Sequence, residues 1–150
     1  LRSGARAGDR IFVTGSLGGS FASGRHLAPP VRIPEALQLR SCLGDDLHAM
    51  IDISDGLGKD AMAIASSSHV QLVLEAGLIP CHPESNWQNA LQDGEDHELL
   101  FTVASAADCS SLPFEVIEIG TVTEGAPSVV VVDPEGLHID GSKFGWNHGA

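Results

Sequence analysis

The chain has 150 residues, of which 43% are hydrophobic and 19% charged, and its formal net charge is −12. This length and composition are typical of one globular domain with a real core, and the negative charge argues against a nucleic-acid or anionic-membrane surface. No apolar run approaches the length of a membrane span, and nothing at the start resembles a signal peptide. We therefore expect neither a membrane-spanning segment nor a signal peptide in this sequence.

The first third of the sequence predicts a strand over residues 10–14, a glycine-rich turn at 15–19, a short helical stretch over 20–27 and a helix over 34–43. The glycine-rich segment matches neither a Walker motif nor a dinucleotide-binding fingerprint, so a structural turn is favoured over a loop that cradles phosphate. Arg25 and Arg32 could contact an anion or pair with carboxylates, and pairing is favoured in so acidic a chain.

The stretch MIDISDGL at 50–57 is the centre of the sequence. Its alternating pattern predicts a strand that places Asp52 and Ser54 on one face, and from Leu57 the apolar residues follow a helical stripe. Ser54 or Asp55 is predicted to cap this helix. The carboxylates suit Mg²⁺, while the hydroxyl and helix amides suit phosphate oxygens. The alternative, commoner for such a pattern, is that Asp55 only caps the helix and Asp52 is a solvated strand end.

Further elements are predicted as a strand near 70–74, a helix over 84–91, and strands over 99–103, 114–119 and 128–132. The acidic segment before residue 99 is either a solvated loop or a site for a cation or hydroxyl donor, and composition favours the loop. His82 and His97 lack metal-ligand spacing. Trp146 could be a plug that pins the chain end to the core.

The predicted fold class is α+β, a single domain of about six strands and three or four helices, with helices flanking a mixed sheet. The three cysteines are widely spaced and odd in number, which favours reduced thiols in a cytoplasmic protein over a disulfide framework or a zinc site.

Four stretches together resemble the thiamine-monophosphate kinase family of the aminoimidazole-ribonucleotide synthetase superfamily. They are GDRIFVTGSLG at 8–18, IDISDGL at 51–57, GEDHELLFT at 94–102 and GWNH at 145–148. The chain departs from the family pattern at Asp93, where a glycine is usual, and at Gly149, where phenylalanine is usual. The resemblance implies that residues 1–150 are the carboxy-terminal domain of a longer kinase, whose amino-terminal ATP- and Mg²⁺-binding domain is not in this sequence.

The function implied by this resemblance is the ATP-dependent phosphorylation of thiamine monophosphate to thiamine diphosphate, with Mg²⁺, in a cytoplasmic homodimer. Asp52 and Asp55 would then hold the metal, Ser54 would contact the nucleotide phosphates, and Glu95 and Trp146 would hold the thiamine portion. This domain alone is expected to be inactive. The alternatives are another ATP-dependent enzyme of the superfamily, or a non-catalytic binding or dimerisation domain.

Overall fold

The computed structural model describes residues 1–146, and in this range the chain forms one seven-stranded mixed sheet with helices on both faces. The strands are β1 (Arg10–Val13), β2 (Leu47–Asp52), β3 (Gln71–Glu75), β4 (Leu99–Val103), β5 (Ile117–Thr123), β6 (Ser128–Val132) and β7 (His138–Asp140). The α-helices are α1 (Ser20–Ser23), α2 (Ile33–Leu43), α3 (Leu57–Ser68) and α4 (Trp87–Gln92). The α+β fold class and the helix-flanked mixed sheet are therefore confirmed.

The strand order across the sheet is β2-β4-β1-β5-β3-β6-β7. All neighbouring strands are antiparallel except β3 and β6, which run parallel. All five residues of β4 are buried, because helices cover the sheet on both sides. Strand β2, which carries the central motif, lies at one edge of the sheet with β4 as its neighbour.

Two apolar clusters form the core, one on each face of the sheet. The first contains the predicted stripe of α3, whose members are all fully buried: Leu57, Ala61, Ile64 and Ala65. The second contains Leu39 and Leu43 of α2 and the stacked rings of Phe12 and Phe101, whose centroids are 5.6 Å apart. Together they hold α3 and α2 against opposite faces of the sheet.

Two strand predictions differ from the structure. Strand β5 begins at Ile117 and continues to Thr123, because Gly120 does not end it. A Cβ at Gly120 would overlap the Val73 carbonyl oxygen, so glycine here permits the close approach of β3. The seventh strand, β7, was not predicted, since its three residues are too short to show an alternating pattern.

Helix α4 begins three residues later than predicted. Glu84 has a φ of 70°, which is incompatible with a helix start, and the Asn86 side chain caps α4 by accepting a hydrogen bond from the Asn89 amide. Among residues 1–146, no helix is both long enough and apolar enough to cross a membrane.

Candidate functional site

The central motif forms a tight turn between β2 and α3. Asp52 is exposed at the end of β2, Ile53 is fully buried, and Ser54 and Asp55 are partly buried. Gly56 has a φ of 98°, and a Cβ there would lie 2.7 Å from the Leu91 carbonyl oxygen, so only glycine suits this position. The predicted order of strand, tight turn and helix is confirmed.

The helix cap predicted at Ser54 or Asp55 is wrong, because Gly56 is the N-cap residue and makes no side-chain cap. Instead, the carboxylate of Asp60 in the first turns of α3 accepts hydrogen bonds from the amides of Ser54 (2.9 Å) and Asp55 (3.0 Å). These two amides are therefore engaged within the protein. Burial, and then the nearby charges of Asp55 and Asp52, raise the pKa of Asp60, although the two amide hydrogen bonds oppose this. Asp60 was not identified from the sequence.

The structure brings Glu95 and Trp146 to the same turn. The Glu95 amide donates to the Ser54 carbonyl oxygen (2.9 Å), and the Trp146 amide donates to the Asp55 carbonyl oxygen (2.8 Å). Gly94 permits the first contact, since a Cβ there would lie 2.6 Å from Ser54 O. Four of the five predicted site residues are thus held together by backbone hydrogen bonds, and the fifth, Asp52, ends the strand that leads into the turn.

Trp146 is not a core plug, because 51% of its surface is exposed. Lys59 fixes this end of the described chain: its Nζ donates to the Trp146 carbonyl oxygen (2.8 Å) and lies 3.0 Å from Asp55 Oδ2. Lys59 was also missed in the sequence, although its i,i+4 spacing from Asp55 is a recognisable signal for such a pair. Residues 147–150, which include the last two residues of the GWNH motif and the departure at Gly149, lie outside the described residues.

The solvated-loop prediction for the acidic segment is wrong for two of its carboxylates. Asp96 and Glu98 are buried, with 0% and 3% exposure, whereas the side chain of Glu95 is 43% exposed and lies 3.0 Å from His97 Nε2. Glu95 and His97 both have positive φ, at 65° and 54°. The segment therefore places Glu95 and His97 toward solvent and the other two acids inside the protein.

The predicted pairing of the arginines with carboxylates is confirmed. Arg32 donates two hydrogen bonds to Glu98, at 2.8 and 2.9 Å, and a third to Glu35 at 2.7 Å. Hydrogen bonding to Glu98 is the largest cause of a raised pKa of Arg32, and burial opposes it. Arg25 Nη1 lies 3.8 Å from Asp96 Oδ1 and also contacts His82.

The glycine-rich loop is a structural turn, as predicted. The Gly18 amide donates to Asp96 Oδ2 and the Gly19 amide donates to Asp93 Oδ2, both at 2.8 Å. Asp93 is a position at which the chain departs from the family pattern that it resembles, and its carboxylate anchors the loop. The two amides are occupied by carboxylates and are not presented to a phosphate group.

Asp96 should make stability depend on pH. Burial, opposed by the Gly18 amide and Arg25, raises the pKa of this carboxyl to about 6, whereas unfolded Asp titrates near 3.9. The folded state therefore holds the proton more tightly, and the contribution of Asp96 to stability rises as pH falls through 6. We expect the unfolding free energy of the protein relative to its Asp96→Asn variant to rise by about 1 kcal/mol from about pH 7.5 to about pH 5.

Urea unfolding at both pH values measures this difference, with the exposed Asp45→Asn as the matched control. A difference between the protein and Asp96→Asn that stays constant with pH would contradict the burial of a titrating Asp96.

The side chains around the turn could supply some of the oxygen ligands that Mg²⁺ requires. A cavity of about 550 Å³ is lined by Asp52, Ser54, Asp55 and Asp60, together with the residues around Leu1 and Met50. Mg²⁺ commonly takes only one or two carboxylates and completes its shell with water and substrate phosphates, which these side chains permit. Residues 1–146 contain no group of three or more His, Cys, Asp or Glu arranged to hold a metal by themselves.

Comparison with known proteins shows which proteins this chain is similar to. No protein-family model matches the chain. The curated thiamine-monophosphate kinase of Rhodopirellula baltica is 39% identical over 114 residues, which are 69% of this chain and 35% of that protein. A solved structure described as AaThiL complexed with AMPPCP and TMP is 31% identical, with a TM-score of 0.73, and the match covers 99% of this chain and 53% of that one.

The hydrogenase maturation protein HypE, solved in complex with ATP, has a TM-score of 0.71 at 18% identity, which shows a shared fold alone. The chain spans about half the length of the relatives it matches, or less. The motifs, the aminoimidazole-ribonucleotide synthetase-like fold and the identity to curated members agree. The chain therefore belongs to the thiamine-monophosphate kinase family, and it represents only part of the length of that family's members.

Proposed function

We propose that the full-length protein phosphorylates thiamine monophosphate to thiamine diphosphate with ATP, and that this chain supplies part of the active site. The observation that carries the proposal is the convergence of Ser54, Asp55, Glu95 and Trp146 on one turn through two backbone hydrogen bonds. In phosphoryl transfer a protein mainly positions the two substrates and neutralises developing charge, so a site without a covalent nucleophile suits the reaction.

Within this site, Asp52 and Asp55 would hold Mg²⁺ and Ser54 would contact the nucleotide phosphates through its hydroxyl. When bound, the cation would offset the charge of the phosphate groups. This role matters in a chain of net charge −12, which repels an unaccompanied phosphate. Glu95 and Trp146 would hold the thiamine portion, since a carboxylate and an exposed aromatic face both suit its cationic ring.

The remaining contacts with ATP and Mg²⁺ would come from an amino-terminal domain, with this chain as the carboxy-terminal domain of a homodimer. The support for a further domain is that relatives of this family are about twice as long as the matched region. We place the enzyme in the cytoplasm, where the three free cysteines, Cys42, Cys81 and Cys109, would stay reduced.

The deciding experiment is to assay the full-length protein for thiamine diphosphate formation from thiamine monophosphate with ATP and MgCl₂. We expect product to form, and to disappear when either ATP or Mg²⁺ is omitted. A folded full-length protein that forms no thiamine diphosphate would overturn the proposal and favour another ATP-using reaction of this fold.

A further inference from the structure

Two large aromatic side chains lie side by side at the surface next to the site. Phe21 in α1 is 52% exposed and Trp146 is 51% exposed. Their ring centroids are 6.1 Å apart and their planes are inclined by 32°, which is within the range of aromatic contact. We call this pair the aromatic shelf. Exposed adjacent aromatics of this size are typical of a binding surface.

Phe21 is held rigidly relative to the site. Helix α1 lies between Gly19 and Gly24, which both have left-handed φ, and the Ser20 hydroxyl donates to the Gly94 carbonyl oxygen. With the Gly19 amide bonded to Asp93, this fixes α1 to the same segment that carries Glu95. The shelf therefore has a fixed position relative to the predicted substrate carboxylate.

Trp146 is held from the other side. Its amide donates to Asp55 O, and its carbonyl oxygen accepts from Lys59 Nζ. The two rings thus come from segments 125 positions apart in sequence. The segment of Phe21 is bonded to Asp93 and Gly94, and Trp146 is bonded to Asp55. About half of each side chain is exposed, although one part of the Phe21 ring packs against His26.

The charges around the aromatic shelf favour a cationic planar ligand over an anionic one. The chain carries 20 acidic and 8 basic residues, and Glu95, Asp55 and Asp93 are next to the anchors of the shelf. Two neighbouring cations are paired with acids: Lys59 lies 3.0 Å from the Asp55 carboxylate, and Arg25 Nη1 lies 3.8 Å from Asp96 Oδ1. The His26 ring lies beside Phe21, with 4.8 Å between the ring centroids. An aromatic face attracts a cation, and negative surroundings add to that attraction while they disfavour an anionic ring.

We propose that Phe21 is a specificity-determining residue, which with Trp146 forms one surface that binds the cationic heteroaromatic ring of the substrate. The identification of that ring as the thiazolium of thiamine monophosphate rests on the proposed function. The role of Phe21 in binding a cationic ring does not rest on the proposed function. It follows from the position, exposure and surroundings of the aromatic shelf.

The test uses the full-length protein and four variants: Phe21→Ala, Phe21→Leu, Phe21→Tyr and Leu27→Ala. Phe21→Leu keeps an apolar side chain without a π face, Phe21→Tyr keeps the face, and Leu27→Ala removes a more exposed apolar side chain from the adjoining segment as the matched control. We expect Phe21→Ala and Phe21→Leu to raise KM for thiamine monophosphate about fivefold to tenfold, with KM for ATP and kcat nearly unchanged. Phe21→Tyr and Leu27→Ala should behave as the unmodified protein.

Calorimetric titration of the same proteins with thiamine, which lacks the phosphate, separates this proposal from the proposed function. Loss of thiamine binding in Phe21→Ala supports the shelf whether or not the protein phosphorylates thiamine monophosphate. Thiamine affinity that is the same in Phe21→Ala as in the unmodified protein would overturn it, as would equal effects on both KM values. A lowered unfolding midpoint with unchanged thiamine affinity would identify Phe21 as a packing residue and also overturn it.

Discussion

Replacing Asp52 by asparagine should lower turnover of thiamine monophosphate by the full-length protein about 100-fold or more. Asp52 is exposed at the end of β2 and lines the cavity shared with Ser54, Asp55 and Asp60. Removing one carboxylate from a metal ligand set costs several kcal/mol of stabilisation of the transition-state charge, and about 3 kcal/mol corresponds to that factor. Because the side chain is exposed, the fold should be unaffected.

The measurement is kcat for thiamine diphosphate formation across a range of MgCl₂ concentrations, with circular dichroism as the check on folding. Asp45→Asn, an exposed aspartate preceding the opposite end of β2, is the matched control and should keep full turnover. Near-normal turnover of Asp52→Asn would remove this residue from the metal site. If Asp52 is a ligand, the variant should also require more Mg²⁺ for half-maximal rate.

Replacing Arg32 by alanine should destabilise the protein by about 3 kcal/mol. Glu98 is 3% exposed, and without Arg32 it would lose two charge-assisted hydrogen bonds. Within residues 1–146 it would keep the one that the Thr14 hydroxyl donates (2.6 Å). A buried carboxylate left without its partner typically costs 3–5 kcal/mol, and the partial exposure of Arg32 places this case toward the lower end.

Urea unfolding of Arg32→Ala, compared with Arg40→Ala on the exposed side of α2, which begins directly after Arg32, measures the effect. Arg40→Ala should change the unfolding free energy by less than about 0.5 kcal/mol. The double variant Arg32→Ala with Glu98→Gln should recover part of the loss, because it no longer buries an unpaired charge. If Arg32→Ala costs no more than Arg40→Ala, the network around Glu98 does not stabilise the fold.

Local patterns in the sequence were enough for most of the fold. The alternating residues of β2 and the apolar stripe of α3 lie within a few residues of one another, so each element is specified by its own short stretch. One error depends on a distant residue, because β5 continues through Gly120, where β3 approaches it closely. The other is local, because α4 begins late after Glu84 adopts a left-handed φ.

In the candidate site, too, some features follow from local sequence and others from tertiary packing. The motif at 51–57 predicts the turn, since an apolar strand followed by DISDG and a helical stripe has one simple geometry. Asp60 could not be recognised as the acceptor of the turn amides, because its burial depends on how α3 packs against the sheet. The helix cap was misassigned for this reason.

Residue identity and local spacing were sufficient to predict the fold class, the family resemblance and the five candidate side chains. They could not predict which carboxylates are buried, since Asp96 and Glu98 alternate with Glu95 and His97 in one acidic run and their burial depends on tertiary packing. The tertiary structure also decided that Phe21 lies beside Trp146, because contacts between segments so far apart depend on the hydrogen bonds that fix α1 and Trp146 to the central turn and its neighbours.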